Sequence, residues 1–490
     1  MNTRTEPWRP QFHYSPQRHW INDPNGLVYF EGEYHLFYQY NPFGDQWGHM
    51  SWGHAVSTDL LHWQELPVAI AEDERVSIYS GSVVVDTHNR SGFGDGLTPP
   101  LVAIYTGCLR VPTGGQAQEL AYSTDRGRSW ATYAHNPVLD LGLRDFRDPK
   151  VFWHEASARW VMVVVLPDDR CARFYASNDL KTWTWLSDFA APFDGDGIWE
   201  CPDLIPLPVA GGGSTWLLKV DVLGGHPSGG TGARIFFGHF DGVHFRPEPE
   251  AAPRWADHGS DFYAALSWAS LPGAPRRQVW LGWMNCHRYA KDLPTQPWRG
   301  SFSVPRELSV RAGSQGLQLL QQPVAAIESL RGAPVDIGPL QLVDEHRPLL
   351  PPAADGRAMD VLLQLDGGDA ADCGLLVHAG GAHGTRVGYD ASRGTVYIDR
   401  GASGFLPAGD TLYPQRREVS VTAPTPAQPL RLRVLVDWSS VEVFVGDGEK
   451  VLTEQVLPDP QHRGLLLYAR GGVARVGRAT AWPLVAARIG

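Results

Sequence analysis

Three acidic residues stand in one kind of setting: Asp23 in Trp20-Ile-Asn-Asp-Pro-Asn-Gly26, Asp148 in Phe146-Arg-Asp-Pro-Lys-Val151 and Glu200 in Ile198-Trp-Glu-Cys-Pro-Asp203. Each lies near a proline at a junction between turn-forming residues and a strand-like run, so each is expected at a turn-to-strand boundary. A pair of carboxyl groups is what cleavage of a glycosidic bond requires. One attacks the anomeric carbon or activates water, and the other protonates the departing oxygen. An acid that only caps local N–H groups in an Asp-Pro turn accounts for any one of these motifs taken alone. The ordered set, spaced a repeat or so apart, asks for an architecture that brings all three to one axial pocket.

Such an architecture is legible in the apolar pattern. Short runs rich in β-branched and aromatic residues, such as Glu33-Tyr-His-Leu-Phe-Tyr-Gln-Tyr40 and Arg159-Trp-Val-Met-Val-Val-Val165, recur between Gly, Pro, Asn and Asp clusters, and helical periodicity is scarce. The chain is therefore expected to be all-β. One element repeats: Ser57-Thr-Asp59-Leu-Leu-His-Trp63, Ser123-Thr-Asp125-Arg-Gly-Arg-Ser-Trp130 and Ser177-Asn-Asp179-Leu-Lys-Thr-Trp183, with Phe240-Asp241-Gly-Val-His-Phe245 as a looser copy. Spacing of roughly 55–65 residues suits one four-stranded propeller blade per copy, and about 300 residues at that period give about five blades. The innermost strand of each blade lines the central channel. A five-bladed β-propeller is thus expected over residues 1–312 and a linker over 313–342, with a short helix from Gln315 to Arg331. In/out alternation returns from about Val343, which predicts an antiparallel β-sandwich over 343–490.

Composition narrows the partners. The net charge of −11 comes without clustered Lys/Arg, which argues against nucleic acid, whereas 19 Trp, 16 Tyr and 18 Phe supply rings that stack on sugars as readily as they fill cores. The five cysteines are scattered and unpaired in sequence, so neither a disulfide framework nor a zinc site is indicated. His49, His54 and His62 lack metal-ligand spacing and an acid to complete a set, and Gly224-Gly-His-Pro-Ser-Gly-Gly-Thr-Gly232 lacks the Lys-Ser/Thr ending of a phosphate loop. No metal or cofactor is expected. No apolar stretch long enough to span a bilayer occurs, and Met1 is followed by no apolar leader. The expectation is a cytoplasmic protein or a trimmed secreted one, without membrane contact, as a monomer or homodimer.

These motifs together resemble glycoside hydrolase family 32, the invertase, inulinase and levanase family, over nearly the whole chain. The resemblance runs through Arg9-Pro-Gln-Phe-His-Tyr-Ser-Pro16 and the Asp23 block, Tyr79-Ser-Gly-Ser82, Arg147-Asp-Pro149, Glu200-Cys-Pro202, Asp261-Phe-Tyr-Ala264, Pro297-Trp-Arg-Gly-Ser-Phe-Ser-Val-Pro-Arg-Glu-Leu308 and Val436-Asp-Trp-Ser-Ser-Val-Glu-Val-Phe444. It implies a five-bladed propeller followed by a β-sandwich. It also implies a retaining, exo-type release of β-fructofuranosyl units from sucrose, fructo-oligosaccharides or fructan. In that reading Asp23 is the nucleophile, Glu200 the acid/base and Asp148 the carboxylate that holds fructose hydroxyls in the transition state. Asn22, Gln39, Trp47, Tyr79, Ser80, Arg147, Asp261, Trp283 and His287 are implied around the substrate. For Trp283, in the apolar run Val279-Trp-Leu-Gly-Trp-Met284, core packing remains an equal alternative, and Cys201 reads as a small buried filler.

Gly282 to Gly300 resembles the exo-acting inulinases and levanases, with one departure: His287 stands where that subgroup usually carries Trp. Losing that aromatic shelf shifts the expectation toward short substrates. Two other uses of the scaffold stay open on the residues alone, a fructosyltransferase with the same acids and a non-catalytic fructan-binding protein. Retention of all three acids speaks against the second.

Overall fold

The computed structural model describes residues 5–490 except 112–113, 192–196, 250–251, 314–315 and 352. Almost all regular structure is strand, and no described helix is long and apolar enough to cross a membrane. Five antiparallel four-stranded blades follow one another. Blade I comprises His19–Phe30, Glu33–Asn41, Ser51–Ser57 and Gln64–Ile70, and blade II Val76–Val85, Leu101–Leu109, Gln116–Ser123 and Ala131–Thr132. Blade III comprises Arg147–His154, Arg159–Leu166, Cys171–Ser177 and Thr184–Ala190, and blade IV Ile198–Ala210, Ser214–Leu223, Gly232–Phe240 and Phe245–Pro247. Blade V is Tyr263–Ser267, Gln278–Trp283, Arg306–Gly313 and Gly316–Pro323. The first strand of each blade touches the first strand of the next, and blade V returns to blade I, so the five innermost strands close a ring. Trp298–Arg299 seals it by lying parallel to His19 and Trp20 of blade I.

Blade III shows why these runs are strands. Arg159–Leu166 is apolar at nearly every position because both of its faces are covered: Val161, Val163 and Val165 pack with blade IV, whereas Trp160, Met162, Val164 and Leu166 pack with blade II. The repeated Ser-x-Asp element is the hairpin between the third and fourth strands of blades I to III. Ser57 Oγ and Ser177 Oγ each accept the N–H of the leucine three residues on, at 2.8 Å, and Ser123 Oγ accepts Gly127 N–H at the same distance. Leu60, Arg126 and Leu180 take left-handed φ values of 70°, 62° and 64° at equivalent points, a cost that the side-chain hydrogen bonds offset.

The helix expected from Gln315 to Arg331 is corrected. Gln315 lies outside the described residues, Gly316–Pro323 is the outer strand of blade V, and only Ala325–Leu330 coils, as a 3-10 helix. The Leu and Gln residues there alternate across an edge strand instead of lining one helical face. Val335–Ile337 and Leu340–Val343, also within the expected linker, pair with Val473–Pro483 of the second domain. That domain is a sandwich of two antiparallel sheets. Met359–Gly368 lies between Leu430–Asp437 and Val473–Pro483 in one, Asp372–Gly380 lies between His383–Asp390 and Gly464–Arg470 in the other, and one apolar core fills the space between.

The two domains meet through buried ions. His13 reaches Asp437 Oδ2 and Glu442 Oε1 at 2.8 Å each, and Arg306 donates to Asp257 at 2.9 Å and to Glu442 at 2.6 Å. Burial alone would strip the His13 proton, but the two carboxylates outweigh it and push the imidazole up to about 9.

Candidate active site

Each innermost strand carries a bulge at the same level, with two residues opposing one on the next strand. The pairs are Asn22 and Asp23 opposite Gln39, Tyr79 and Ser80 opposite Thr106, Asp148 and Pro149 opposite Val164, Cys201 and Pro202 opposite Val220, and Ala264 and Ala265 opposite Gly282. A bulge bends its strand and re-aims side chains, here toward the channel. Asp148, Cys201 and Ala264 adopt left-handed φ of 66°, 44° and 52° to do so. The three acids therefore sit near the starts of their strands, at or beside a bulge, a feature that proline marks as readily as it marks a turn.

Residues in or next to the bulges of blades I to IV line one cavity of about 360 Å³: Asn22, Asp23, Tyr79, Ser80, Arg147, Asp148 and Glu200, joined there by Gln39, Trp47 and His287. Asp23 is held at both oxygens, Oδ1 by Asn22 Nδ2 at 3.0 Å and Oδ2 by Ser80 Oγ at 2.6 Å, and Trp20 Nε1 fixes the Asn22 amide at 2.8 Å. Asp148 Oδ2 accepts Cys201 N–H at 2.8 Å, and its own N–H reaches Thr106 Oγ1 at 2.9 Å across to blade II. Glu200 takes Arg147 Nε on Oε1 at 3.1 Å and the Tyr263 hydroxyl on Oε2 at 2.5 Å.

Electrostatics follow from this crowding. Burial raises Asp148 to about 7; Arg147 opposes that rise, and Glu200 and Asp23 add to it. Burial works against the Arg147 charge, but Glu200, Asp148 and Asp145 more than offset it and keep the guanidinium firmly protonated. Burial also holds the Tyr263 phenol and the Cys201 thiol well above their ordinary values, so both remain donors. Cys201 Sγ, 3.6 Å from both Asp23 Oδ2 and Asp148 Oδ2, is a buried spacer between two carboxylates.

Two residues implied around the substrate lie elsewhere. Asp261 is fully buried at the domain junction, where Tyr289 OH and Arg400 NH1 each donate to it at 2.6 Å and Gln455 N–H at 2.8 Å. Its charge answers the sandwich's arginine and leaves no oxygen for a sugar. Trp283 is likewise fully buried and does not line the cavity; it packs behind His287, with ring centroids 4.8 Å apart, and against Trp20. Three lining residues carried no expectation: Gln116, Asp145 and Leu223. Asp145 binds Arg147 NH1 at 2.7 Å, a contact that two-residue spacing beside an arginine hinted at, and Gln116 comes from blade II with no local signal. Tyr263 lies in the Asp261-Phe-Tyr-Ala264 motif, and its contact with Glu200, 63 residues away, has no local signal.

Among the described residues no group of three or more His, Cys, Asp or Glu is arranged to hold a metal ion. His49 pairs with Glu72, His62 with Asp59, and His54 stacks on Phe37 beside His35.

Residues 13–323 match the family model for the glycosyl hydrolases family 32 N-terminal domain, and residues 326–483 match that for the family's C terminal domain. A levanase of Bacillus subtilis (strain 168) is 45% identical over 98% of this chain and 71% of its own length. An extracellular exo-inulinase of Aspergillus awamori is 36% identical over 97% and 94%. The crystal structure of exo-inulinase from Aspergillus awamori superposes with a TM-score of 0.91 at 35% identity, covering 99% of both chains. A β-fructofuranosidase from Schwanniomyces occidentalis, complexed with fructosyl-erythritol, gives 0.89 at 28% identity over 98% of both. The two family models together span residues 13–323 and 326–483, the propeller and the sandwich, and the chain belongs to glycosyl hydrolase family 32.

Proposed function

We propose that the protein is a retaining, exo-acting β-fructofuranosidase that removes terminal fructosyl units from fructans, fructo-oligosaccharides and sucrose. The observation that carries this reading is the convergence of Asp23 and Glu200, from blades I and IV, on one small polar cavity whose other charged groups are Arg147, Asp145 and Asp148. A cavity of about 360 Å³ suits one terminal unit better than the interior of a chain.

Asp23, aimed by Asn22 and Ser80, attacks the anomeric C2, and the C2–O bond to the leaving sugar breaks as Glu200 hands its proton to that oxygen. Glu200 then takes a proton from water, which attacks C2 and releases fructose and the Asp23 carboxylate. Asp148 has Oδ2 occupied by Cys201, which leaves Oδ1 for a fructose hydroxyl whose bond strengthens as charge develops on the ring. Arg147 neutralises the cluster and orients Glu200. Trp47, half-exposed at the rim, supplies an apolar wall.

Fructose and glucose release from sucrose, inulin and levan tests this directly, alongside Asp23→Ala and Glu200→Ala. The expected result is release by the parent and loss of at least about 10³-fold in both variants. Retained turnover in either variant overturns the assignment, and products longer than the substrate mark transfer to sugar in place of water.

A further inference from the structure

Among the described residues no sandwich side chain lines the cavity, yet the segment that carries His287 leans on the sandwich. Between Trp283 and Trp298 the chain has no strand, only a turn leading into the 3-10 helix Ala290–Asp292, so no sheet ladder fixes it. Its two ends are tied to the propeller, by Met284 N–H to Ser301 O at 2.8 Å and by Arg299 to the Lys291 carbonyl at 2.6 Å, and Tyr289 OH reaches Asp261, but around His287 further anchors come from residues 400–413 and 457 of the second domain. Cys286, just before His287, is fully buried among Tyr413 and Leu457. Arg288, just after it, donates from Nε to Asp410 Oδ2 at 2.6 Å. Tyr289 OH accepts Arg400 NH2 at 2.9 Å, and its ring meets Tyr413 edge-on with centroids 4.9 Å apart. Asp410 is itself a fixed acceptor, since its Oδ1 takes the N–H groups of Leu412 and Tyr413 at 2.7 and 2.8 Å.

The His287 ring lies edge-on to Tyr263 with centroids 5.3 Å apart, and Tyr263 holds Glu200. The group that protonates the departing oxygen and the imidazole wall are thus one tyrosine apart. We infer that the sandwich is a positioning element for the leaving-group side of the pocket: through Arg288–Asp410 and Tyr289–Arg400 it sets His287 against the sugar that departs. This rests on the assignment of Glu200 as acid/base. Arg288 and Asp410 touch no reacting atom and are positioning residues. Their ion pair, half-exposed on the arginine side, contributes little to stability, so its effect on binding can be read separately.

The test is a double-mutant cycle of Arg288→Ala and Asp410→Asn, the latter keeping an acceptor for the two N–H groups, with Arg288→Lys and His287→Ala beside it. Each single variant is expected to raise KM for sucrose about five- to tenfold with kcat within about twofold. The double variant should be no worse than either single one, because both remove the same link. Arg288→Lys should recover part of the loss. Sucrose affinity read by tryptophan fluorescence in a Glu200→Gln background should follow the same order, which keeps the clamp testable apart from turnover. An unchanged KM in both single variants, or additive losses in the double, overturns the inference. If His287→Ala raises KM while the others do not, only the clamp fails; if affinities follow the order but the parent releases no fructose, the proposed function fails and the clamp stands.

Discussion

Lys219 Nζ donates a 2.6 Å hydrogen bond to the carbonyl oxygen of Cys201, the left-handed residue whose own N–H holds Asp148. Both polar ends of the residue after Glu200 are therefore tied, one to a fully buried ammonium and the other to a pocket carboxylate. Lys219→Met should loosen this bulge and lower kcat by about 10²-fold, the scale of a small misplacement of catalytic groups. Asp221, the partner of Lys219, is pushed up to about 7 by burial even with the ammonium opposing, so it would take a proton in the variant and the fold would survive. Steady-state kinetics with circular dichroism decide it: a folded variant at parental kcat refutes this role for Lys219.

Tyr263 gives Glu200 a 2.5 Å hydrogen bond and stays protonated across the working range because burial holds its phenol high. Removing that donor leaves Glu200 Oε2 without the hydroxyl that fixes its orientation. In Tyr263→Phe kcat on sucrose should fall about tenfold or more, with KM within about twofold. Parental kcat in a folded variant would refute this positioning role.

Asp261 belongs to the domain junction, so its substitution should be read in stability. Asp261→Asn sets an amide against Arg400, and breaking such a buried pair costs about 3–5 kcal/mol. Thermal unfolding should shift down markedly while kcat on sucrose stays within about twofold. A large fall in kcat without a stability loss would return Asp261 to the reaction.

The His13 contact gives the junction a pH signature. Its imidazolium faces Asp437 and Glu442, with Arg306 on the far side of Glu442, and its folded value of about 9 lies above the usual 6.5. The stability it contributes is thus full below about 6.5 and is lost as pH rises through about 9. The two carboxylates are held below their ordinary values, so their share is present above the usual carboxylate range and is lost as pH falls from there through their lowered values. Unfolding midpoints of the parent should decline between pH 7 and 9.5, roughly the titration range. His13→Gln, less stable near neutrality, should lack that decline, and equal slopes for the two would refute this role for the His13 ion contact.

The chemistry that could be read from the chain is the chemistry that local residue types announce. The Ser-x-Asp turns of blades I to III are legible because each motif contains its own hydrogen-bond partners, and the three acids because each stands within two residues of a proline. What escaped depends on distant partners. Whether Asp261 or Tyr263 serves the pocket is decided by Arg400, 139 residues away from the acid, and Gln116 enters only because blade II packs beside blade III. Edge strand Gly316–Pro323 escaped because Leu and Gln suit a helix as well as a strand until Arg306–Gly313 pairs with it.

One bulge on each of five blades also governs when the molecule becomes an enzyme. Asp23 emerges early in synthesis and Glu200 near the middle, whereas Tyr263, His287 and the sealing strand Trp298–Arg299 come after them. No fragment that ends between blades contains a complete reaction centre. Hydrolytic power therefore switches on once, at ring closure. A chain divided between two blades would be silent as separate halves and active only on their reunion, which makes the propeller a natural split reporter.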